Sequence, residues 1–544
     1  MRRIVLILSL VIGLTTPVLS QPQNNGFETL KSMELTDQIY EHLEKYYVDD
    51  INVGALSKTA IYAMLKGLDP YTVYYHEANI EDYKLMTTGQ YGGIGALIRK
   101  VGDHVCISEP YEGKPAFNSG LIAGDKIIEI DGKSMSGKST SDVSGALKGP
   151  KGTNVDITVL RNNKKKEFSF ERDEIKLPDV PYSGMIKDDV GYIKLNSFTR
   201  TASQEVIKAF NQLKSEGMGQ LVLDLRGNGG GLLIEAVKIV NMFVGKNEVV
   251  VTTRGRVTEE NRTYKTMGPA LDLEIPLVVL VNESSASASE IVAGSLQDLD
   301  RAIIIGTTSY GKGLVQRTYD LDYGSKVKLT IAKYYTPSGR CVQRLEYYDR
   351  QDGERPKEIA DSLIKIFKTK NGREVIDGRG IEPDIEITPK DMSRLTLTLF
   401  RKNIFFNYAT LYHQKNNGIE DAAQFELTEN EYEAFKKYVL EKDISYSTAS
   451  EEMLKKMKTT AEKEGFYDDL TEEYTQLLEK VVPSTERDLD KFKDEILYIL
   501  ENEIASRYFF QVGRAKHAFQ DDEYIEESVL ILQNLPKYDT ILGN

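Results

Sequence analysis

The sequence predicts a multidomain α/β protein, with a helical N-terminal segment, a small β domain, an α/β core and a helical C-terminal domain following one another along the chain. Three observations carry this. The chain has 544 residues, more than one ordinary hydrophobic core accommodates. Its composition, 40% hydrophobic and 28% charged, is that of a globular protein rather than a disordered one. The hydrophobic period changes along the chain, from helical steps to short strands, then to alternating strands and helices, and finally back to helix. The expected boundaries are 1–20 for an export signal, then 21–88, 89–175, 176–390 and 391–544.

The first residues read as that signal: Arg2 and Arg3 are a positive start, Ile4 to Leu14 an apolar stretch, and Val18-Leu19-Ser20 a small-residue cleavage site. The mature chain is expected to begin near Gln21, outside the cytoplasm, in the periplasm or cell envelope. The apolar stretch is shorter than the roughly 20 residues of a membrane span, so a membrane tether follows only if the signal stays uncleaved. A net charge of -14 argues against nucleic acid as a partner. Cys106 and Cys341 lie far apart in different expected domains, which favours two unpaired buried thiols over a disulfide.

From Phe27 to Met86, apolar residues recur at helical steps: Leu35, Ile39, Leu43 and Tyr46, then Ile61, Met64, Leu65 and Leu68. Strands are expected at Gly95 to Lys100, Val105 to Glu109, Lys126 to Ile130, Val155 to Arg161 and Lys166 to Arg172. Turn signals separate them at Gly124-Asp125, Asp131-Gly132 and Gly149-Pro150-Lys151-Gly152. Short helices fit around Pro115 to Ser119 and Ser139 to Leu147. Through Tyr91-Gly92-Gly93-Ile94-Gly95, Ala116-Phe117-Asn118-Ser119-Gly120-Leu121 and Gly124-Asp125-Lys126-Ile127, this segment resembles a PDZ domain. In such domains a glycine-rich loop receives a peptide's terminal carboxylate while the peptide adds a strand to the sheet edge. The resemblance implies Gly92, Gly93, Ile94 and Gly95 as the peptide-binding loop. A small β domain whose glycine-rich turn binds nothing is the alternative.

Between Pro181 and Thr388, strands at Val190 to Leu195, Gln220 to Leu225, Pro276 to Val281 and Arg301 to Ile305 alternate with helices. The helices are expected at Ser203 to Leu213, Leu232 to Val244 and Ala288 to Gln297, an α/β layer pattern. Three segments there could do chemistry. In Asp224-Leu225-Arg226-Gly227-Asn228-Gly229-Gly230-Gly231, consecutive glycines between strand and helix could hold an oxyanion or a phosphate on backbone N–H groups. In Asn282 to Glu290, a serine between strand and helix suits a nucleophile, and four serines compete. Ser287 followed three residues later by Glu290 also fits a helix capping box. Gly306 to Gly313 nearly matches a phosphate-binding loop, with Leu221 to Asp224 as the magnesium strand. Gly313 stands where a hydroxyl is needed, however, and the following Leu314-Val315-Gln316 reads as strand, which weakens nucleotide binding.

The five histidines, His42, His76, His104, His413 and His517, all fall outside the α/β core. A serine nucleophile there needs another base. A lysine serves when burial disfavours its ammonium, and Lys312, between two glycines, is the candidate. At Ser285-Ala286-Ser287-Ala288-Ser289-Glu290 and Gly311-Lys312-Gly313-Leu314-Val315-Gln316 the chain resembles the C-terminal processing peptidases of family S41. The Asp224 segment, Leu68-Asp69-Pro70 and Gly380-Ile381-Glu382-Pro383-Asp384 support the resemblance, which covers about Phe27 to Thr388.

The resemblance implies Ser287 as nucleophile, Lys312 as base and Gln316 as the side chain orienting the lysine. It also implies an oxyanion hole from the N–H groups of Gly231 and Ala288. Gly227 and Gly229 depart from the family's bulkier residues, and Cys341 from its small polar one. The expected activity is serine endopeptidase cleavage by a Ser-Lys dyad, without metal or other cofactor. The expected partners are polypeptides with accessible C-termini, with a homo-oligomer left open. A PDZ scaffold or adaptor on an inactive core is the rival reading. The role of the residues after Asp391 is left open.

Overall fold

A run such as Leu277-Val278-Val279-Leu280-Val281, buried at every position, needs cover on both faces, and such strands form parallel sheets between helical layers. The computed structural model describes residues 26–77, 80–348, 354–388 and 390–543. Its central sheet orders the strands Tyr182–Lys187, Val190–Lys194, Gln220–Asp224, Leu277–Val281, Ile303–Gly306 and Ile385–Glu386. All neighbours run parallel except the first pair. Helices Ala202–Ser215, Leu233–Val240 and Ala288–Asp298 supply one core, with Phe210, Val240, Ile291 and Leu296 against Leu223 and Val279.

The opposite face of this sheet is covered from far along the chain. Helices Glu523–Leu532 and Leu535–Ile541 bring Ile525, Val529, Ile531 and Tyr538 onto Tyr192, Val222, Leu280 and Ile305. Before them, the helices from Arg394–Arg401 to Lys493–Ala518 build a core of their own, around Leu399, Phe405, Phe435 and Leu500.

A second sheet departs from the sequence expectation. Lys326–Tyr335 pairs with Leu314–Asp320, Val249–Gly255 and Val73–Tyr75. The last of these corrects the helical expectation for Phe27 to Met86. The β-branched and aromatic run Val73-Tyr74-Tyr75 follows the Asp69-Pro70 turn and finds an antiparallel partner in Lys326, Val327 and Lys328. Ahead of it, residues 26–67 form a separate compact unit with helices Gly26–Tyr46 and Val53–Lys66, the second capped by Asn52.

The β domain holds the sheet Ala96–Val101, His104–Pro110, Lys126–Ile130, Asn154–Arg161 and Lys164–Glu171, within a few residues of the expected strands. The edge strand Lys164–Glu171 is blunted by three consecutive lysines. The other edge, Ala96–Val101, has the helix Thr140–Leu147 beside it. The expected export signal lies outside the described residues, among which no helix is long and apolar enough to cross a membrane. Cys106 and Cys341 are both unpaired thiols, the first buried and the second half-buried.

Candidate active site

Ser287 joins the end of strand Leu277–Val281 to helix Ala288–Asp298 with φ +58° and ψ -109°, a conformation that costs a non-glycine residue energy. The Glu290 half of the expected capping box is present, since Glu290 Oε2 accepts from the Ser287 N–H at 2.7 Å. Two of the rival serines are structural. Ser285 and Ser289 are fully buried, and their hydroxyls donate to the carbonyls of Leu225 and Asn228, each at 2.9 Å.

Glu290 does more than cap a helix. Its buried carboxylate also accepts from the Lys312 N–H at 2.9 Å, the Gly311 N–H at 2.7 Å and Ser309 Oγ at 2.6 Å. One oxygen, Oε2, thus binds the backbones of both Ser287 and Lys312. Burial pushes the Glu290 pKa up, against four hydrogen bonds that favour the ionised form. Ser309 Oγ in turn accepts from the Ile381 N–H at 2.7 Å, which anchors the Gly380 to Asp384 segment to the same carboxylate.

The Lys312 side chain is half-buried, with its amine 4.2 Å from the centre of the Tyr71 ring. Burial first, and Lys328 second, bring its pKa down to about 8, with Glu290 and Asp69 opposing. The Tyr71 backbone is fixed by the Leu68-Asp69-Pro70 turn, where Asp69 Oδ1 accepts from the N–H groups of Tyr71 and Thr72, both at 2.8 Å. Its ring is held through its hydroxyl, 3.3 and 3.2 Å from those of Tyr310 and Tyr347. No hydrogen bond joins Lys312 Nζ to Ser287 Oγ among the described residues. None of the five histidines lies on the elements that carry Ser287 or Lys312.

Gln316 is placed differently from expectation. Its amide donates to Thr330 Oγ1 at 3.2 Å, and no hydrogen bond links it to Lys312 among the described residues. It lines an open groove of about 450 Å³ in the second sheet, with Thr253 of strand Val249–Gly255, Val315 and Arg317 of its own strand, and Ile331.

The glycine-rich turn packs onto the serine. A side chain on Gly230, whose φ is +97°, would come within 2.9 Å of both Ser287 Cβ and the Ala288 nitrogen. The neighbouring Gly231 peptide is clamped by Phe198, whose N–H donates to the Gly230 carbonyl at 3.2 Å and whose carbonyl accepts from Leu232 at 2.8 Å. Asp224 does not serve as a magnesium ligand of a nucleotide site. Its carboxylate is taken by Arg226 at 2.7 Å, Tyr192 Oη at 2.7 Å and Lys194 at 3.1 Å, and the strand Leu314–Asp320 follows Lys312 where a phosphate loop needs a helix.

In the β domain, Gly92 and Gly93 lie in strand Gln90–Gly93, paired with Asp173–Lys176. A side chain on Gly92 would meet the Gly149 carbonyl at 2.0 Å, so close backbone approach requires glycine there. Ile94 is buried with its carbonyl accepting from Ala116 at 2.8 Å, and Gly95 leads into the edge strand Ala96–Val101. Two residues of the site escape sequence reasoning: Glu290 as a hub and Tyr71 as a contact of the lysine. A signal for Glu290 exists, as an acid beside a serine nucleophile; Tyr71 has none.

Known proteins resemble this chain in three segments. The model for peptidase family S41 matches residues 189–347, that for a PDZ domain 106–161, and that described as the C-terminal helical domain of a probable PDZ-protease 395–532. A carboxy-terminal-processing protease of Bartonella bacilliformis is 36% identical over 326 residues, covering 59% of this chain and 74% of that protein. A "Probable CtpA-like serine protease" of Staphylococcus aureus is 36% identical over 309 residues, covering 56% and 62%. A solved structure of a photosystem II D1 C-terminal processing protease is 28% identical, covering 67% of this chain and 88% of that one, with a TM-score of 0.38. The family models and the Bartonella relative define a PDZ-containing serine protease. The chain belongs to peptidase family S41, among the C-terminal processing proteases.

Proposed function

We propose that the protein is an exported endopeptidase that captures polypeptide C-termini through its PDZ domain, 89–175, and cleaves them in the core, 176–390, with Ser287 and Lys312. The observation that carries this reading is the shared Glu290 oxygen, which holds the nucleophile turn and the lysine turn together while leaving the lysine amine on an aromatic face with a lowered pKa. A neutral Lys312 takes the proton of Ser287 Oγ as the oxygen attacks the scissile carbonyl. The N–H groups of Gly231 and Ala288 receive the oxyanion, and the lysine then gives its proton to the leaving amine. Water hydrolyses the acyl-enzyme with Lys312 again as base. Gln316 takes part only if it exchanges Thr330 for the lysine.

The peptide adds to the edge strand Ala96–Val101 and its carboxylate meets the Gly92 to Gly95 segment, whose first two residues lie in strand Gln90–Gly93 rather than in a loop. Cleavage of the signal after Ser20 releases the enzyme into the periplasm or cell envelope; retention of the signal tethers it to the membrane. No cofactor enters the reaction, and a homo-oligomer is compatible with it. The test is covalent labelling by a serine-directed fluorophosphonate together with hydrolysis of an unfolded protein. Ser287→Ala is expected to lose both while still binding a C-terminal peptide. Labelling at another serine, or undiminished hydrolysis, overturns the dyad, and a wild-type chain that binds peptides without labelling is an adaptor.

A further inference from the structure

The C-terminal helices reach the turn that leans on Ser287. Asp522 Oδ1 and Oδ2 accept from Arg226 Nη1 and Nη2 at 2.9 and 2.7 Å, a bidentate pair between residues 296 positions apart. The other edge of the same guanidinium binds Asp224, and its face lies 4.7 Å from the Tyr524 ring centre. Asp522 is itself fixed, because it caps helix Glu523–Leu532 by accepting from the Tyr524 N–H at 3.0 Å, and that helix is packed on the central sheet.

Arg226 opens the glycine turn, and its backbone is held on both sides: the N–H donates to Asp224 at 2.8 Å and the carbonyl accepts from Lys194 at 2.6 Å. Two residues on, the buried Asn228 carries the connection forward. Its side chain donates to the Leu195 carbonyl at 2.8 Å and accepts from the Gly230 N–H at 2.9 Å. Its carbonyl accepts from the Ala286 N–H at 3.0 Å, next to Ser287. A connected path of hydrogen bonds and turn backbone therefore runs from Asp522 to the nucleophile turn.

We propose that Asp522 is a positioning residue for hydrolysis: the last helices of the chain hold Arg226, and through it the Gly227 to Gly231 turn, in register with Ser287. This rests on the assignment of Ser287 and the Gly231 N–H given above. It gives the C-terminal helical region a role in the chemical step beyond covering the sheet.

The test uses the full chain and two variants that both keep a good helix cap. Asp522→Ser is too short to reach Arg226, whereas Asp522→Asn keeps one of the two bonds. Asp522→Ser is expected to lower kcat about tenfold with KM within about twofold, because a small misplacement remote from the chemistry is felt in the transition state. Affinity for a peptide aldehyde, whose adduct carries the oxyanion, should weaken in parallel, with C-terminal peptide binding unchanged and the chain still folded at the assay temperature. Asp522→Asn should recover about half of the loss on a logarithmic scale. Wild-type kcat and aldehyde affinity in Asp522→Ser overturn the inference, as does a loss that tracks only a lowered melting temperature. If Asp522→Ser fails to fold, wild-type kinetics in Asp522→Asn overturn it. Fluorophosphonate labelling of wild-type Ser287 separates the two levels: no labelling sinks the dyad itself, whereas labelling with unchanged variants sinks only the role of Asp522.

Discussion

Two buried carboxylates serve the proposed nucleophile's surroundings, Glu290 bonded to the Ser287 N–H and Asp224 at the head of the glycine turn, and they are satisfied by opposite means. Asp224 is surrounded by cations: burial raises its pKa, but Arg226 and Lys194 hold it well below the usual carboxylate range. Glu290 is met by three backbone N–H groups and one hydroxyl, with no cation bonded to it among the described residues. The lysines differ accordingly. Burial lowers both, but Lys194 donates to Asp224 and to the Arg226 carbonyl, whereas Lys312 lays its amine on the face of the Tyr71 ring. A carboxylate whose lone pairs are spent on neutral donors can organise a site without fixing the base in its charged form.

The largest expected effect comes from Glu290→Gln. The new amide points N–H groups at backbone donors, and should cost about 3 kcal/mol of stability and more than about 100-fold in hydrolysis. Urea unfolding and a protein-substrate assay read both, and near-wild-type behaviour would break the contrast. Asp224→Asn should cost about 2 kcal/mol and about tenfold in rate, since it disturbs the glycine turn and Lys194 but not Lys312. Its pH–rate profile should keep the wild-type midpoint; a shifted midpoint would mean that Asp224 sets the base after all.

For the wild type, Lys312 in its proposed role as base works only when neutral, so kcat/KM should rise with pH through an apparent pKa of about 8 and fall about tenfold per unit below it. A rate independent of pH between about 6 and about 9 would be incompatible with Lys312 as base. The smallest effect is that of Tyr71→Leu. Losing the ring face removes a stabilisation of the ammonium worth about 1 kcal/mol, so the midpoint should move down by about half to one unit. An upward shift would show that Tyr71 acts through burial instead.

Much of the fold is legible in residue patterns. Buried runs such as Gln220 to Leu225 and Pro276 to Val281 announce parallel strands, and the turn residues of the β domain delimit its sheet to within a few residues. Val73-Tyr74-Tyr75 is not legible in the same way, because three residues carry no period and their partner, Lys326 to Lys328, lies far along the chain. The serine is ambiguous by local spacing; in the structure Ser285 and Ser289 differ from Ser287 in being fully buried, with their hydroxyls donating to backbone carbonyls.

The sequence by itself determined the kinds of domain and their order, together with the candidate serine, lysine and glycine segments, because periodicity and turn chemistry are local properties of the chain. Tertiary structure alone decided which atoms these segments share. The Glu290 bond to Lys312 spans 22 positions and the grip of Asp522 on Arg226 spans 296, while the ring of Tyr71 reaches the lysine amine from a different sheet strand's turn. Such contacts depend on how packed layers close over one another, which no local spacing encodes.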